Sequence, residues 1–412
     1  MRQWAVLRSH RDFRNLFAGT TVGTFGANLN AIALPLTAVI FLDASPSQMG
    51  VLGAVALAPF LIFGLPAGVW VDRIPYRTTL LACNIAAAVL TGTVPLLAVL
   101  GVLAMWQLYV IGFLTGICVL FSSLASTTFV PLLVPKDQLL QANAALSQSG
   151  TIMGVSGSAA GGALVQVLTA PIALVVDAVS SLIAAVLQGL IRQPGKVIEK
   201  TVRRQRLGAS IVEGFRTVYA QPILRVMLVA ATLGALAGQV QTVVLMLFFA
   251  NDLGLEAGAI GLLVAVAGVA GVVGALIAAP FTERVGHGPT FLAGTLIASL
   301  AGIVLAMAGG PPAAILVVAV ASQVLRGLGQ PLYSVNQVTV RQALTPPDML
   351  ARVNATWRFL VFGMQPIGAL VGGVLGETVG LRATILLSGA GMLVAVAFTA
   401  LSPIRSLRTL PA

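Results

Sequence analysis

The chain has 412 residues, of which 58% are apolar and only 8% charged, and its mean hydropathy is +1.00. Ordinary globular domains carry about 25% charged residues, so a water-exposed surface could not be covered and a soluble fold is excluded. The formal net charge of +11 lies in short stretches between apolar runs, with no solvated basic domain. That excludes nucleic acid as the partner and points to basic loops against an anionic leaflet.

A hydrocarbon core about 30 Å thick needs about 20 apolar residues per helix. Taken in chain order, such runs fall at 15–41, 47–71, 77–100, 105–131, 139–168 and 171–191. After a polar break they fall at 222–250, 257–282, 288–309, 312–343, 349–377 and 381–402. The expected class is therefore an all-α polytopic membrane protein of twelve spans. Thr169-Ala170-Pro171 and Gly309-Gly310-Pro311-Pro312 keep neighbouring runs from fusing. The first run is longer than the apolar region of a cleaved leader, and none is expected. The loops expected on one side carry Arg8, Arg11, Arg14, Arg73, Arg77, Lys136, Arg284, Arg352 and Arg405. Those on the other carry Asp43, Asp252, Glu256 and Glu377, with Arg382 as the exception. Lys/Arg asymmetry thus predicts both termini on the cytoplasmic side of the cell membrane.

Residues 192–210 form the one long polar, basic connector, dividing the chain into an N-terminal bundle, 1–191, and a C-terminal bundle, 211–412. The second bundle opens with a segment whose Ile211, Phe215, Val218 and Tyr219 share a helical face, which predicts a short helix lying on the membrane surface. The halves repeat. An offset of 211 residues brings Arg14 onto Arg225, Asp72-Arg73 onto Glu283-Arg284 and Gly116 onto Gly327. It also brings Pro135, Asp137 and Asn143 onto Pro346, Asp348 and Asn354, and Gly157, Gly161 and Gly162 onto Gly368, Gly372 and Gly373. Two parallel repeats of six helices are expected to share a site near the membrane midplane.

The loop after the second run reads Gly68-Val-Trp-Val-Asp72-Arg73-Ile-Pro-Tyr-Arg77, and a degraded copy, Thr-Glu283-Arg284-Val-Gly-His287, stands at the repeat offset. With twelve spans and a central basic loop, this resembles the major facilitator superfamily over essentially the whole chain. Arg11-Asp12-Phe13-Arg14-Asn15-Leu16, together with Arg341-Gln342-Ala343-Leu344-Thr345-Pro346 running into Ala351-Arg352-Val353-Asn354-Ala355-Thr356-Trp357-Arg358-Phe359, is similar to the macrolide-efflux and enterobactin-exporter-like branch. The resemblance implies proton-driven efflux of a drug or siderophore. It also makes Gly68, Asp72, Arg73, Arg77, Glu283 and Arg284 a conformational gate. The first span departs from the branch: Gly26-Ala27-Asn28 offers no acid. Gly150 to Gly162 resembles the antiporter motif of drug exporters, with Ser158 where proline is usual. The alternative for Gly157, Gly161, Gly162, Gly368, Gly372 and Gly373 is close helix packing, which small residues four apart permit.

Ionisable side chains are costly in lipid and usually face the interior or a watery cavity. Asp177 is the one carboxylate well inside an apolar run. It is a proton-coupling acid or a group hydrogen-bonded to a neighbouring helix. Arg326 and Arg358 lie near the expected midplane; each holds an anionic substrate group or is bonded structurally. Asn28, Asn30, Gln239, Gln241, Gln323, Tyr333, Asn336 and Trp357 are further cavity-lining candidates or helix-helix hydrogen-bonding residues. His10 and His287 fall in loops, and Cys83 and Cys118 in separate runs, so neither a metal centre nor a disulfide is expected. No Gly-x-x-x-x-Gly-Lys-[Ser/Thr] loop occurs, and no cofactor is expected. These features predict a monomeric secondary transporter, not an enzyme, with a small molecule, protons and membrane lipid as partners. An uptake permease or a non-transporting scaffold or sensor of the same fold are the alternatives.

Overall fold

The computed structural model describes residues 5–64, 66–193, 207–346 and 349–408. Among the described residues, twelve helices are long and apolar enough to cross a membrane. The first six spans are Arg11–Phe41, Pro46–Phe63, Tyr76–Val99, Met105–Leu133, Lys136–Leu168 and Ala170–Gly189. The second six are Pro222–Asp252, Ala257–Val285, His287–Ala306, Pro312–Leu344, Arg352–Thr378 and Leu381–Ala400. Among the described residues there is no strand. In lipid, only such internally hydrogen-bonded segments avoid unsatisfied backbone groups.

The repeat governs local detail as well as span count. The first and seventh spans both end in a π-helical turn, Thr37–Phe41 and Phe248–Asp252, at positions one offset apart. One helix departs from its expected length. The run 47–71 is a single apolar stretch, yet the second span stops at Phe63 and a separate helix runs Pro66–Val71. Pro66 has no N–H to continue the ladder. Its partner in the eighth span is Ile277, and there the helix runs unbroken.

The described chain divides into two compact units. One comprises 1–44, 55–201 and 256–265, the other 45–54, 202–255 and 266–412. Each unit thus takes in the opening residues of one helix that otherwise belongs to the opposite half. Inside the first unit, Phe13, Leu16, Tyr76 and Phe129 are fully buried in one cluster. Inside the second, Leu224, Met227, Phe291 and Ile404 form its counterpart.

Most of the connector, 194–206, lies outside the described residues, as does the Ile211 side chain. The segment beyond it is a helix, Leu207–Ala220. Val218 is buried, whereas Phe215 and Tyr219 are exposed and stack on each other at 5.9 Å. Glu213 ties this helix to the eleventh span through Arg352, with Oε1 and Nη1 2.5 Å apart.

The turns into the sixth and twelfth spans are also equivalent. Thr169 has φ 95° and ψ 153°, and Gly380, one offset later, has φ 88° and ψ 160°. This backbone region is essentially reserved for glycine and costs other residues about 1–3 kcal/mol. A β-branched side chain holds it at Thr169. Thr169→Gly is therefore expected to raise the thermal midpoint in detergent, with a gain of about 1 kcal/mol after glycine's larger entropy loss. An unchanged or lower midpoint would show that the turn carries no strain.

Candidate functional site

The first unit places its acid by backbone contact between helices. A Cβ at Gly157 of the fifth span would meet the Phe25 carbonyl oxygen at 2.6 Å, and one at Gly161 would meet the Leu29 oxygen at 3.0 Å. The first span therefore lies hard against the fifth. On its other side Gly26 faces the sixth span, where a Cβ would stand 2.6 Å from Asp177 Oδ1 and 2.8 Å from Ser180 Cβ. That missing side chain is the space the carboxyl group occupies. One turn on, Asn30 donates from Nδ2 to Asp177 Oδ2 at 2.6 Å; Thr91 lines the same cavity but gives its hydroxyl to the Ala87 carbonyl at 2.9 Å. Asp177 is only 4% exposed.

This carboxylate forms part of the wall of a cavity of about 410 Å³ between the first, third, fourth and sixth spans. Most of its lining residues carry small polar side chains, although carbon makes up most of the wall they expose. The fourth span alone contributes Thr115, Cys118, Ser122, Ser123, Ser126 and Thr127, a stripe at helical spacing along one face. Farther along, Asn84 Nδ2 donates to Gln188 Oε1 at 2.8 Å. Cys83 and Cys118, both free thiols, also lie in the wall. Asn28, by contrast, turns back on its own helix, donating to the Thr24 carbonyl at 2.8 Å.

The second unit holds the arginines. Arg326 is half-buried, and its Nη2 donates to Thr242 Oγ1 of the seventh span at 3.3 Å. The only ion pair among the described residues is Glu213–Arg352, so no carboxylate neutralises Arg326 there. Gln239 stands half-buried beside Gly53 and Gly368, while Gln323 is buried at 2% exposure. Trp357 is buried under a different cation, Arg341, whose Cζ stands 4.7 Å from the ring centroid. Tyr333 packs on Phe291 at 5.0 Å and accepts from Gln337 Nε2 at 3.4 Å. Arg358 is exposed.

The loop residues occupy separate positions. Asp72 Oδ1 accepts from the Tyr76 hydroxyl at 3.0 Å, within its own loop. Arg77 donates from Nη2 to the Gly189 carbonyl at the end of the sixth span. Arg73, Glu283 and Arg284 are exposed. A Cβ at Gly68 would meet nothing within 4 Å, so no neighbouring backbone presses on it. The other glycines do touch backbones. Gly162 abuts Gly261, and Gly373 abuts Gly50, while Gly368 and Gly372 pack on the Leu236 and Val240 carbonyls of the seventh span. His10 hydrogen-bonds Gln138, and His287 hydrogen-bonds Asn336. Among the described residues no group of three or more His, Cys, Asp or Glu could hold a metal ion.

Gly26 and Arg341, which the sequence shows only as members of motifs, and Thr91 and Thr242, which no pattern marks, contribute as well. The hydroxyl stripe was legible in principle, because Ser122-Ser123 and Ser126-Thr127-Thr128 interrupt an otherwise apolar run at helical spacing.

These features describe a polytopic transporter of the major facilitator type, and the comparisons agree. The family model described as transmembrane secretion effector matches residues 1–410, and the chain belongs to that family. Over 393 residues it is 26% identical to an Escherichia coli enterobactin exporter, covering 95% of this chain and 91% of that one. It is 24% identical over 378 residues to the multidrug efflux pump Tap of Mycolicibacterium fortuitum, covering 90% of each. The solved nucleoside transporter NupG superposes with a TM-score of 0.76 at 13% identity, over 94% of this chain and 98% of that one. That last likeness concerns the fold alone.

Because the Asp177 carboxyl occupies the space above Gly26, Gly26→Ala is expected to displace it, break the Asn30 bond and destabilise the protein. The expected loss is about 1–3 kcal/mol, the usual cost of overpacking, read as a lower thermal midpoint in detergent. Adding the smaller Asp177→Ser should restore much of that loss. A fully stable Gly26→Ala protein would show that the two helices do not meet this closely.

Proposed function

We propose that this transporter exports a small amphipathic molecule in exchange for protons, by alternating access, with both termini cytoplasmic and Asp177 carrying the proton. The kinship with exporters of a siderophore and of drugs supports the direction and the substrate range. One observation carries the coupling: a single carboxylate deep in a polar pocket, held at 2.6 Å by Asn30. A charge in that position is costly unless it is stabilised. An amide N–H stabilises the ionised carboxylate, and the neutral acid tolerates the surroundings without that help. Asn30 engages Oδ2, which leaves Oδ1 as the oxygen to take and release a proton. Arg326 supplies the opposite preference in the second unit. Its guanidinium, with only a hydroxyl for company, suits a carboxylate, phosphate or phenolate on the cargo.

Asp177→Asn should leave cargo binding measurable and abolish cargo-linked proton movement in proteoliposomes. If that variant still concentrates cargo against a gradient under a proton-motive force, coupling resides elsewhere. Arg326→Gln should weaken an anionic cargo by about 2 kcal/mol, roughly thirtyfold in Kd, and a neutral one far less. Equal losses for both would make the arginine structural. For orientation, with Cys83 and Cys118 removed, a cysteine at position 254 of intact cells should react with an impermeant thiol reagent and one at 200 should not. The reverse pattern would invert the topology.

A further inference from the structure

The first unit carries polar groups that the second lacks at the equivalent repeat positions. At the offset of 211 residues, Asp177 corresponds to Ser388, Asn30 to Gln241 and Thr91 to Gly302. Cys83 and Cys118 correspond to Gly294 and Gly329. In the second unit those two glycines bring the ninth and tenth spans together backbone to backbone, since a Cβ on Gly294 would stand 2.9 Å from the Gly329 carbonyl oxygen. Gln241 fills the place of the missing Thr91 side chain, 3.2 Å from where a Gly302 Cβ would be. The crossing of the first and fifth spans and that of the seventh and eleventh are, by contrast, alike. The one intramembrane carboxylate and the polar cavity occur at the same repeat positions, and the counterpart positions are close-packed.

The cavity also lacks the large side chains that usually grip an amphipathic cargo. Ligand pockets are lined mainly by apolar and aromatic side chains with a few placed polar groups. Here the wall holds no aromatic ring, and only Leu80 and Val119 are bulky aliphatics. The rest is hydroxyl, amide, thiol, alanine and glycine, with Asp177 the one charged group and Cys83 and Cys118 the only other titratable ones. Thr20, also in the wall, has a buried hydroxyl with no protein partner. A space of this volume that holds a carboxylate and an unpartnered hydroxyl is one that water can enter. Along the sixth span it reaches from Asp177 to Gln188, eleven residues or about 16 Å of helix. That is about half the hydrocarbon core. Its exposed rim is formed by Ala27, Val119, Ser123 and Thr127.

We infer that this cavity is a water-filled proton chamber belonging to the first unit alone, which joins Asp177 to the membrane face nearest Gln188 and takes no part in holding the cargo. In the orientation proposed above that face is cytoplasmic, so the chamber is the route by which Asp177 releases its proton inward, one site per molecule. The inference rests on Asp177 being the coupling acid, and the two can fail separately.

The native thiols provide the probe. A Cys118→Ser protein retains Cys83 in the chamber wall. It is reconstituted in one orientation and treated with methanethiosulfonate ethyltrimethylammonium, a charged reagent that travels through water. Cys83 should react from the face nearest Gln188. Infrared difference spectra should show a carboxyl band that is absent from Asp177→Asn, and its exchange in deuterated water should slow many-fold once Cys83 is modified. Dithiothreitol, by removing the modification, should restore the exchange, which separates a blocked path from a damaged fold. No reaction from that face, or exchange untouched by modification, would overturn the chamber while leaving Asp177 in its role. A missing carboxyl band would instead remove Asp177, and the chamber with it. Protection of Cys83 by erythromycin or ethidium would make the cavity a cargo subsite and also overturn the inference.

Discussion

Contact between helix backbones, made possible by glycine, is the constraint from which the rest of this structure follows. Lipid offers helices no hydrophobic reason to associate, so packing must come from close van der Waals approach. In the first unit Gly157 and Gly161 seat the fifth span on the Phe25 and Leu29 carbonyls. In the second, Gly368 and Gly372 seat the eleventh span on the Leu236 and Val240 carbonyls. Those contacts are one repeat offset apart, residue for residue. Two further crossings, Gly162 on Gly261 and Gly373 on Gly50, obey the same relation. Once the first span is pinned this way, its opposite face must meet the sixth, and Gly26 and Asn30 come to bear on Asp177.

Much of this was legible in the chain. Span count depends on length and hydropathy, which a bilayer reads much as a window average does. The repeat was visible because glycine, proline and charged residues are few and their coincidence at one offset is improbable by chance. Asp177 stood out for the same reason: a lone carboxylate in an apolar run has no bland surroundings in which to be lost. The break at Pro66 was missed because hydropathy is blind to a missing N–H donor. Arg341 was passed over because it sits at the end of its span, where a cation looks like a loop residue. It is the cation that covers Trp357, whereas Arg358, deeper in the chain's apolar pattern, is exposed.

The cavity could not be read from the chain at all, because it is a property of four helices at once. Ser122, Ser126 and Thr115 are each common in membrane helices, where hydroxyls return their hydrogen bonds to the preceding turn. Thr115 does so here, to the Ile111 carbonyl at 2.8 Å. Only the third, first and sixth spans, arriving with Asn84, Thr20 and Asp177, turn a stripe of hydroxyls into the wall of a chamber.

The charges divide in the same manner as the packing. Two repeats that share their crossings, their π-helical ends and their positive-φ turns differ in what they place at membrane depth: an acid in the first unit and an arginine in the second. The Asp177 position carries Ser388 in the other half, and the Arg326 position carries Thr115. Neither substitution disturbs the shared frame, since serine and threonine fit where the charged groups stand. A duplicated bundle can therefore specialise by exchanging a few interior side chains while its glycine contacts hold both copies to one geometry. An acid that exchanges protons and a cation that attracts an anion would neutralise each other if they met in one unit. Distributing them across the repeats keeps the two charges apart, which suits the exchange of a proton for an anionic cargo proposed above.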